Sequence, residues 1–351
     1  MTLFLALGEA QLAAGKLVDA RVNLDRLLLR GELSSQERGR ALSMLAQAFY
    51  LSGDAETARS VFQHAIAHLE EHAVPAAIDA LLHQCFNDAF TEGPAVAVAL
   101  ADRAQALATV HDHETRRRAQ ALAAAVRVLA GDAADYDTLA LASHAVEVQP
   151  FALASDALSW TGVTFTYGGA AVLCEDFDEA QRVFSIALVT AEEAGAATSI
   201  VGLGAQKAWM FTRLGRLSEA LDLFAASAGL IDVVPFAEGY VLVGQAYVLL
   251  LMGKLDESEA LCQRAESAGA RRGQTNALIF LHEVRGHRAL REGRTFDAAD
   301  QYAALEELVH RTGLREPCLA TWARHAVSAH LSCNREPEAQ RLVQWLEGCS
   351  K

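Results

Sequence analysis

The residues best suited to chemistry in this sequence are histidines that have carboxylates beside them. His282, Glu283 and His287 resemble the HExxH helix of zinc enzymes, in which both histidines ligate one ion from one face. Here the two histidines are five residues apart, which separates them by about 140° around a helix. They cannot bind one ion together, so we expect no metal site at this position.

Other candidate groups have simpler interpretations. His64, His68 and His72 share a helical face but flank an apolar stripe, as expected at the boundary of a core. Residues 111–114 read as a polar loop, and the acidic pairs at 192–193 and 306–307 are typical of solvated helix faces. Catalytic triads are defined by geometry rather than by order in the chain, and no triad can be assigned here. We therefore expect no catalytic residue, no metal, no cofactor and no enzyme.

The composition narrows the class of partner. The net charge of −14 opposes non-specific attraction to nucleic acid. The one basic run, residues 116–118, is expected to be a solvated helix face, with a contact patch for an acidic partner as the alternative. Six cysteines without a CxxC pair indicate neither a zinc site nor a disulfide framework. The most apolar run, residues 240–253, is interrupted by Gln245 and is shorter than the roughly 20 residues that cross a bilayer.

A repeated turn organises the chain. Glycine or a substitute recurs about 40 residues apart, and helical sequence lies on both sides of each occurrence. The nine turn residues are Gly15, Gly53, Gly93, Gly131, Glu175, Gly215, Gly253, Gly293 and Asn334. With strand patterns almost absent, the sequence predicts an all-α superhelix of about nine helical hairpins.

A recurring spacing of residue types, present in most of the hairpins, explains how their two helices pack. A small residue precedes the turn by seven positions, a second small residue follows it by five, and a bulky apolar residue comes four positions later. The bulky positions are Leu24, Phe62, Phe184, Phe224, Cys262, Tyr302 and Val343. At helical spacing the small residues let the helices approach and the bulky one fills the gap. This pattern resembles the tetratricopeptide repeat, although the period is longer than 34 residues.

We divide the chain into three segments. Residues 1–73 are expected to form regular tetratricopeptide-like hairpins, and residues 74–150 degenerate ones. The middle segment is interpreted either as a bend in the superhelix or as a border between two stacks. Residues 151–347 are expected to form further regular hairpins and to carry the candidate binding groove.

The longer repeat and three stretches of sequence resemble a family of regulators. Residues 27–58, 291–331 and 334–346 look like the repeat region of large actinobacterial LuxR-family proteins similar to the maltose activator of the signal-transducing ATPase class. In that family the repeats lie between an ATPase and a helix-turn-helix. No GxxxxGK[ST] motif occurs here, and too few residues follow Trp345 for a helix-turn-helix. The resemblance implies an excised regulatory region or a stand-alone relative, without ATP hydrolysis or DNA binding of its own.

The candidate site is the inner surface of the later hairpins. In stacked hairpins the first helix of each lines the concave side, and counting from the small residues places aromatic and a few polar side chains there. The predicted ligand- or partner-binding residues are Phe165, Trp209, Arg213, Tyr240, Tyr247, Phe280 and His287. Glu283 is expected on the same lining. The alternative is that a tight superhelix closes over these residues and they form ordinary core.

Such a lining suits a hydrophobic small molecule or an amphipathic peptide. We therefore expect a non-enzymatic regulatory module that binds an effector or a partner protein, with a protein–protein scaffold lacking a small ligand as the alternative. The first residues have no basic stretch before their apolar ones, so we expect no signal peptide and a cytoplasmic location. The oligomeric state stays open, with a homodimer among the alternatives.

Overall fold

Eighteen α-helices account for most of the structure, a computed structural model that describes residues 2–30, 33–132, 135–144, 163–316 and 321–349. They are α1 (Thr2–Ala13), α2 (Leu17–Leu28), α3 (Ser35–Leu51), α4 (Ala55–Glu70), α5 (Val74–Thr91), α6 (Pro94–Ala108), α7 (His113–Leu129), α8 (Tyr136–His144), α9 (Val163–Leu173), α10 (Phe177–Glu193), α11 (Ala197–Arg213), α12 (Leu217–Ala228), α13 (Glu238–Leu251), α14 (Leu255–Arg272), α15 (Thr275–Arg291), α16 (Thr295–Thr312), α17 (Ala323–Ser332) and α18 (Glu336–Cys349). A 3-10 turn, Pro235–Ala237, precedes α13. Within the described ranges the helices pair in order into nine hairpins, which confirms the predicted all-α superhelix.

The turn within each hairpin uses the residues that the sequence indicated. All nine predicted turn residues have positive φ, including the two that are not glycine, Glu175 at 59° and Asn334 at 56°. In two hairpins the side chain of the residue after the turn caps the next helix. Asp54 accepts a hydrogen bond from the backbone N–H of Thr57, and Asp176 accepts one from Glu179. Each hairpin therefore closes with a left-handed residue followed by the first helical turn.

The small residues let the paired helices pack closely. A Cβ added at Gly168 would lie 2.4 Å from the ring of Phe184, and one at Gly286 would lie 2.6 Å from the ring of Tyr302. Both rings are fully buried. Where serine replaces alanine, at Ser258, its hydroxyl donates a 2.7 Å hydrogen bond to the carbonyl of Ala246 on the facing helix. The bulky-on-small packing predicted from the repeat is present in these hairpins.

The last hairpin departs from the predicted register. Val343 was expected to fill the gap between its helices, but Val343 is 41% exposed and Leu342 is buried instead. Trp345 packs against Trp322, with 5.8 Å between ring centroids. This aromatic contact takes the inner face of α18, so the neighbouring Leu342 rather than Val343 faces the core.

The middle of the chain continues the same packing. Helices α5 to α8 form two hairpins, and one apolar cluster runs from Ile66 in α4 to Val126 in α7. The expected solvated face at residues 116–118 is wrong for two of its arginines: Arg118 forms an ion pair with Asp79 at 3.1 Å, and Arg117 lies over the ring of Tyr167. The three-segment division stays a prediction, and its boundary at residue 150 lies outside the described residues.

Hairpins one superhelical turn apart touch each other. The hydroxyl of Thr198 donates to the carbonyl of Ala13, and that of Thr275 donates to the carbonyl of Thr91 at 2.6 Å. The residues of these pairs are 185 and 184 positions apart, so a superhelical turn takes roughly four to five hairpins. The end of α5 consequently packs against the beginnings of α13 and α15.

No helix in the described part of the chain combines the length and the apolar character that crossing a membrane requires.

Candidate functional site

Aromatic rings from four successive first helices form a continuous row, which we call the aromatic ladder. It consists of Trp209 on α11, Tyr240 and Tyr247 on α13, Phe280 and His287 on α15, and His325 on α17. Trp209 is the centre of its first half. The Trp209 ring centroid lies 4.5 Å from that of Phe280 and 5.8 Å from those of both tyrosines.

The second half of the ladder passes through His287. The ring of His287 stacks on Tyr247, with centroids 5.8 Å apart and planes 24° apart, and meets His325 edge-on at 4.4 Å. Burial lowers the pKa of His287 to about 3, and the nearby groups His325, Arg291 and Arg324 contribute to this lowering. The imidazole is therefore neutral near pH 7 and presents one donor and one acceptor nitrogen.

The repeat itself brings these rings together. Trp209, Tyr247 and His287 each precede the turn glycine of their hairpin by six residues. Equivalent positions in successive hairpins lie side by side on the concave face. Tyr240 and Phe280 occupy a second equivalent position, two helical turns earlier on the same face.

Burial along the concave face alternates between rings and their neighbours. Trp209, Tyr240, Tyr247, Phe280 and His287 are all half-buried. Apolar side chains at other positions on α13 are core instead, since Val243 and Leu250 are fully buried. The lining is thus neither an open groove nor ordinary core, because its aromatic positions stay half-buried while Val243 and Leu250 are covered.

Side chains from the preceding superhelical turn cover one end of the ladder. Phe90 on α5 meets Tyr240 edge-on at 6.3 Å, and Phe86 packs on Phe90 at 4.7 Å. An apolar cavity of about 20 Å³ lies among these phenylalanines, Gly202, Phe236 and Tyr240. That volume holds roughly one water molecule, so a larger ligand needs α5 to move away from the ladder.

Polar atoms on the ladder rings and on the adjacent Tyr302 have no hydrogen-bond partner among the described residues. The indole Nε1 of Trp209, the imidazole Nε2 of His287 and the hydroxyl of Tyr302 are buried without a hydrogen bond to any described residue. A buried polar group without a partner costs roughly 1–3 kcal/mol. A ligand bound at this surface can supply the hydrogen bonds that these groups lack.

A buried carboxylate lies on the same face. Glu283 is 3% exposed and accepts a 2.8 Å hydrogen bond from the hydroxyl of Thr321. Burial raises the pKa of Glu283 to about 7, and the hydrogen bond from Thr321 opposes part of that rise. Burial, followed by the charge of Glu283, also raises the pKa of Tyr247 and of Tyr302. These three groups therefore interact electrostatically.

Two predicted site residues do not join the ladder. Arg213 binds the preceding hairpin instead: its guanidinium pairs with Glu175 at 3.0 Å and lies 5.1 Å from the ring centroid of Phe177. Phe165 is part of α9, but its side chain lies outside the described residues. Of the seven predicted residues, the structure brings together Trp209, Tyr240, Tyr247, Phe280 and His287.

Several neighbours of the ladder were absent from the sequence-based prediction. Phe86 and Phe90 reach it from one superhelical turn away, and His325 extends it onto α17. The spacing of Phe86 and Phe90 places both on one helical face, which was the available signal. No group of three His, Cys, Asp or Glu side chains suited to a metal occurs among the described residues.

Comparisons with known proteins agree with the fold. No family model matches this sequence, and no curated protein matches it. Among solved structures, a Rap protein complexed with competence and sporulation factor is similar, with a TM-score of 0.66 and 13% identity over 99% of this chain and 98% of that chain. Yeast Tom70 gives a TM-score of 0.41 and 14% identity over 98% of this chain and 77% of that chain. At such identities the likeness to the Rap protein establishes a tetratricopeptide-like helical repeat fold and nothing further.

Proposed function

We propose that this protein is a non-enzymatic binding module that takes an effector along its aromatic ladder. The observation that carries the proposal is a half-buried row of rings, from Trp209 to His325, together with buried polar atoms on Trp209, His287 and Tyr302 that lack hydrogen-bond partners among the described residues. Ring faces bind apolar groups, and the unpaired nitrogens and hydroxyl can orient a ligand that has a few polar atoms. An amphipathic peptide and a hydrophobic small molecule both have this chemistry.

The packing of Phe90, on α5, against one end of the ladder supports a regulatory role. A ligand between Phe90 and Tyr240 would separate α5 from α13, and these helices belong to different superhelical turns. Binding would therefore change how the two turns pack. The resemblance to LuxR-family regulators supports the same role: the module would relay an effector to other parts of a transcriptional regulator. The Rap protein was solved in complex with a factor, so this fold can serve binding.

A scaffold that binds a partner protein without any small ligand is the second candidate. The small volume of the cavity beside Tyr240 favours it, because about 20 Å³ cannot hold an effector in the closed form. A partner protein that binds the outer surface of the superhelix would leave α5 packed against the ladder. The two functions differ in whether substitutions in the ladder weaken binding.

A selection experiment tests the proposal. A displayed library of random decapeptides and a panel of hydrophobic small molecules are screened against the wild type, the double variant Tyr247→Leu, Phe280→Leu, and the control Phe296→Leu. Leucine keeps apolar volume but removes the ring faces. Phe296 is 63% exposed on α16, so its replacement removes an aromatic ring away from the ladder. Binders that the double variant loses and the control keeps support the proposal; binders that both variants keep would refute it.

A further inference from the structure

The carboxylate of Glu283 has no charged partner among the residues that the structure describes. Its one hydrogen bond comes from the hydroxyl of Thr321, and no basic side chain among the described residues lies within ion-pair distance of it. Burying an ionised carboxylate without a counter-charge is strongly unfavourable. A carboxyl in such a place either stays protonated or receives a cation from outside the chain.

Nearby arginines do not supply that cation. The Arg291 guanidinium donates to the carbonyl of Leu250, and Nε of Arg324 contacts the imidazole of His325 at 3.2 Å. Both positive charges act on His287, where they help to keep the ring neutral. The charge of Glu283 is felt instead by the hydroxyls of Tyr247 and Tyr302.

The aromatic ladder flanks Glu283 on its own helix. Phe280 lies three residues before Glu283 and His287 four residues after it, so all three share one face of α15. Ring faces beside a carboxylate form the usual surroundings of a bound ammonium or guanidinium, because both attract a cation. The net charge of −14 also favours the approach of a cationic ligand.

We propose that Glu283 forms an ion pair with a basic group of the effector, an ammonium or guanidinium whose apolar neighbours rest on the rings of Tyr247 and Phe280. This inference rests on the proposed function, since it names the chemistry of the ligand at the same site. Only 3% of Glu283 is exposed, so the side chains that cover it have to shift when the basic group enters. A peptide side chain and a small lipophilic amine can both supply the cation.

Binding of a cation also has a proton consequence. The pKa of Glu283 near 7 leaves part of the population protonated at pH 6.5, and an adjacent cation favours the ionised form. The wild type therefore releases a fraction of a proton when a basic ligand binds at pH 6.5. Calorimetry in buffers with different ionisation enthalpies measures this release, and Glu283→Gln abolishes it.

The test uses two sets of probes and four proteins. The first probe is the random decapeptide library, from which selected peptides are resynthesised with norleucine in place of each lysine or arginine. The second is the pair tryptamine and tryptophol, which differ in having an ammonium or a hydroxyl. The proteins are the wild type, Glu283→Gln, the double variant Tyr247→Leu, Phe280→Leu, and Phe296→Leu. The glutamine keeps an acceptor for Thr321 and removes the charge.

We expect basic residues to be enriched in the selected peptides and norleucine to weaken their binding to the wild type at least tenfold. In Glu283→Gln the same replacement should change affinity less than twofold. A preference for tryptamine over tryptophol without enrichment in the library identifies a small amine as the source of the cation. Ladder-dependent binders that show no basic preference, or a preference that survives in Glu283→Gln, would overturn the inference and leave the proposed function standing. If the double variant binds the probes of both sets as tightly as the wild type does, the proposed function itself fails.

Discussion

Phe90 and Tyr240 contact each other edge-on, 6.3 Å between centroids, although they belong to hairpins on different superhelical turns. The hydrogen bond from Thr275 to the carbonyl of Thr91 lies beside this contact. The aromatic ladder is therefore part of the seam that holds the two turns together. A ligand at the ladder and the packing of the superhelix compete for the same surfaces.

A matched pair of glycines tests the seam between turns. Gly313 and Gly273 both end helices in the left-handed conformation, with φ of 68° and 63°. A Cβ at Gly313 would lie 2.5 Å from Cβ of Ala95 on the other turn, whereas one at Gly273 meets nothing within 4 Å. Both alanine variants carry the same backbone strain, but only Gly313→Ala overpacks the seam. We expect it to lose about 1–3 kcal/mol more in urea unfolding than Gly273→Ala. Equal losses would show that the turns do not pack as described.

The buried carboxyl of Glu283 predicts a pH dependence of stability. Its pKa rises from 4.5 to about 7 on folding, so the native state holds the proton more tightly than the unfolded chain. The contribution to stability is complete below pH 4.5 and is lost as the pH rises to 7 and above, for a total of about 3 kcal/mol. Glu283→Gln removes this dependence. We expect urea unfolding to show that the variant gains stability relative to wild type between pH 5 and pH 8.

The comparison at two pH values serves as its own control, because all other titrating groups are common to both proteins. A stability difference between Glu283→Gln and wild type that is the same at pH 5 and pH 8 would contradict the burial of an ionisable carboxyl at this position. If the stability of Glu283→Gln relative to wild type falls as the pH rises, the pKa of Glu283 must be lowered on folding instead of raised.

The unpaired hydroxyl of Tyr302 gives a second prediction about stability. The side chain is fully buried and its hydroxyl has no hydrogen-bond partner among the described residues. Tyr302→Phe removes a polar group that lost its water on folding, so stability should stay level or rise by about 1 kcal/mol. Ser258→Ala is the contrast, because its hydroxyl donates to Ala246 at 2.7 Å and its loss should cost about 1 kcal/mol. Thermal denaturation of both variants checks whether their stability changes differ in this way.

Local features of the fold followed from the sequence. The left-handed turn residues, including Glu175 and Asn334, were predictable because turn chemistry and the packing of small on bulky residues act within one hairpin. Val343 was misplaced because Leu342, one position earlier, is the buried residue of the helix that carries the Trp322–Trp345 contact, and nothing in the repeat pattern encodes that contact.

The site was predictable only where it depends on equivalent positions in successive hairpins. Trp209, Tyr247 and His287 share one repeat position, so their contacts follow from stacking. Phe90 comes from another superhelical turn, and its approach depends on the rotation accumulated over several hairpins, which no local pattern specifies. Arg213 shares the expected face, but an ion pair with Glu175 holds it against the preceding hairpin.

The most direct test of ligand binding at the aromatic ladder is the dissociation constant of a selected ligand for three proteins. They are the wild type, the double variant Tyr247→Leu, Phe280→Leu, and the control Phe296→Leu, each shown by circular dichroism to be folded. Loss of two ring faces should weaken binding at least tenfold, about 1.4 kcal/mol or more, while the control binds like wild type. A double variant that stays folded and binds the ligand with wild-type affinity would contradict the assignment of the ladder as the binding site.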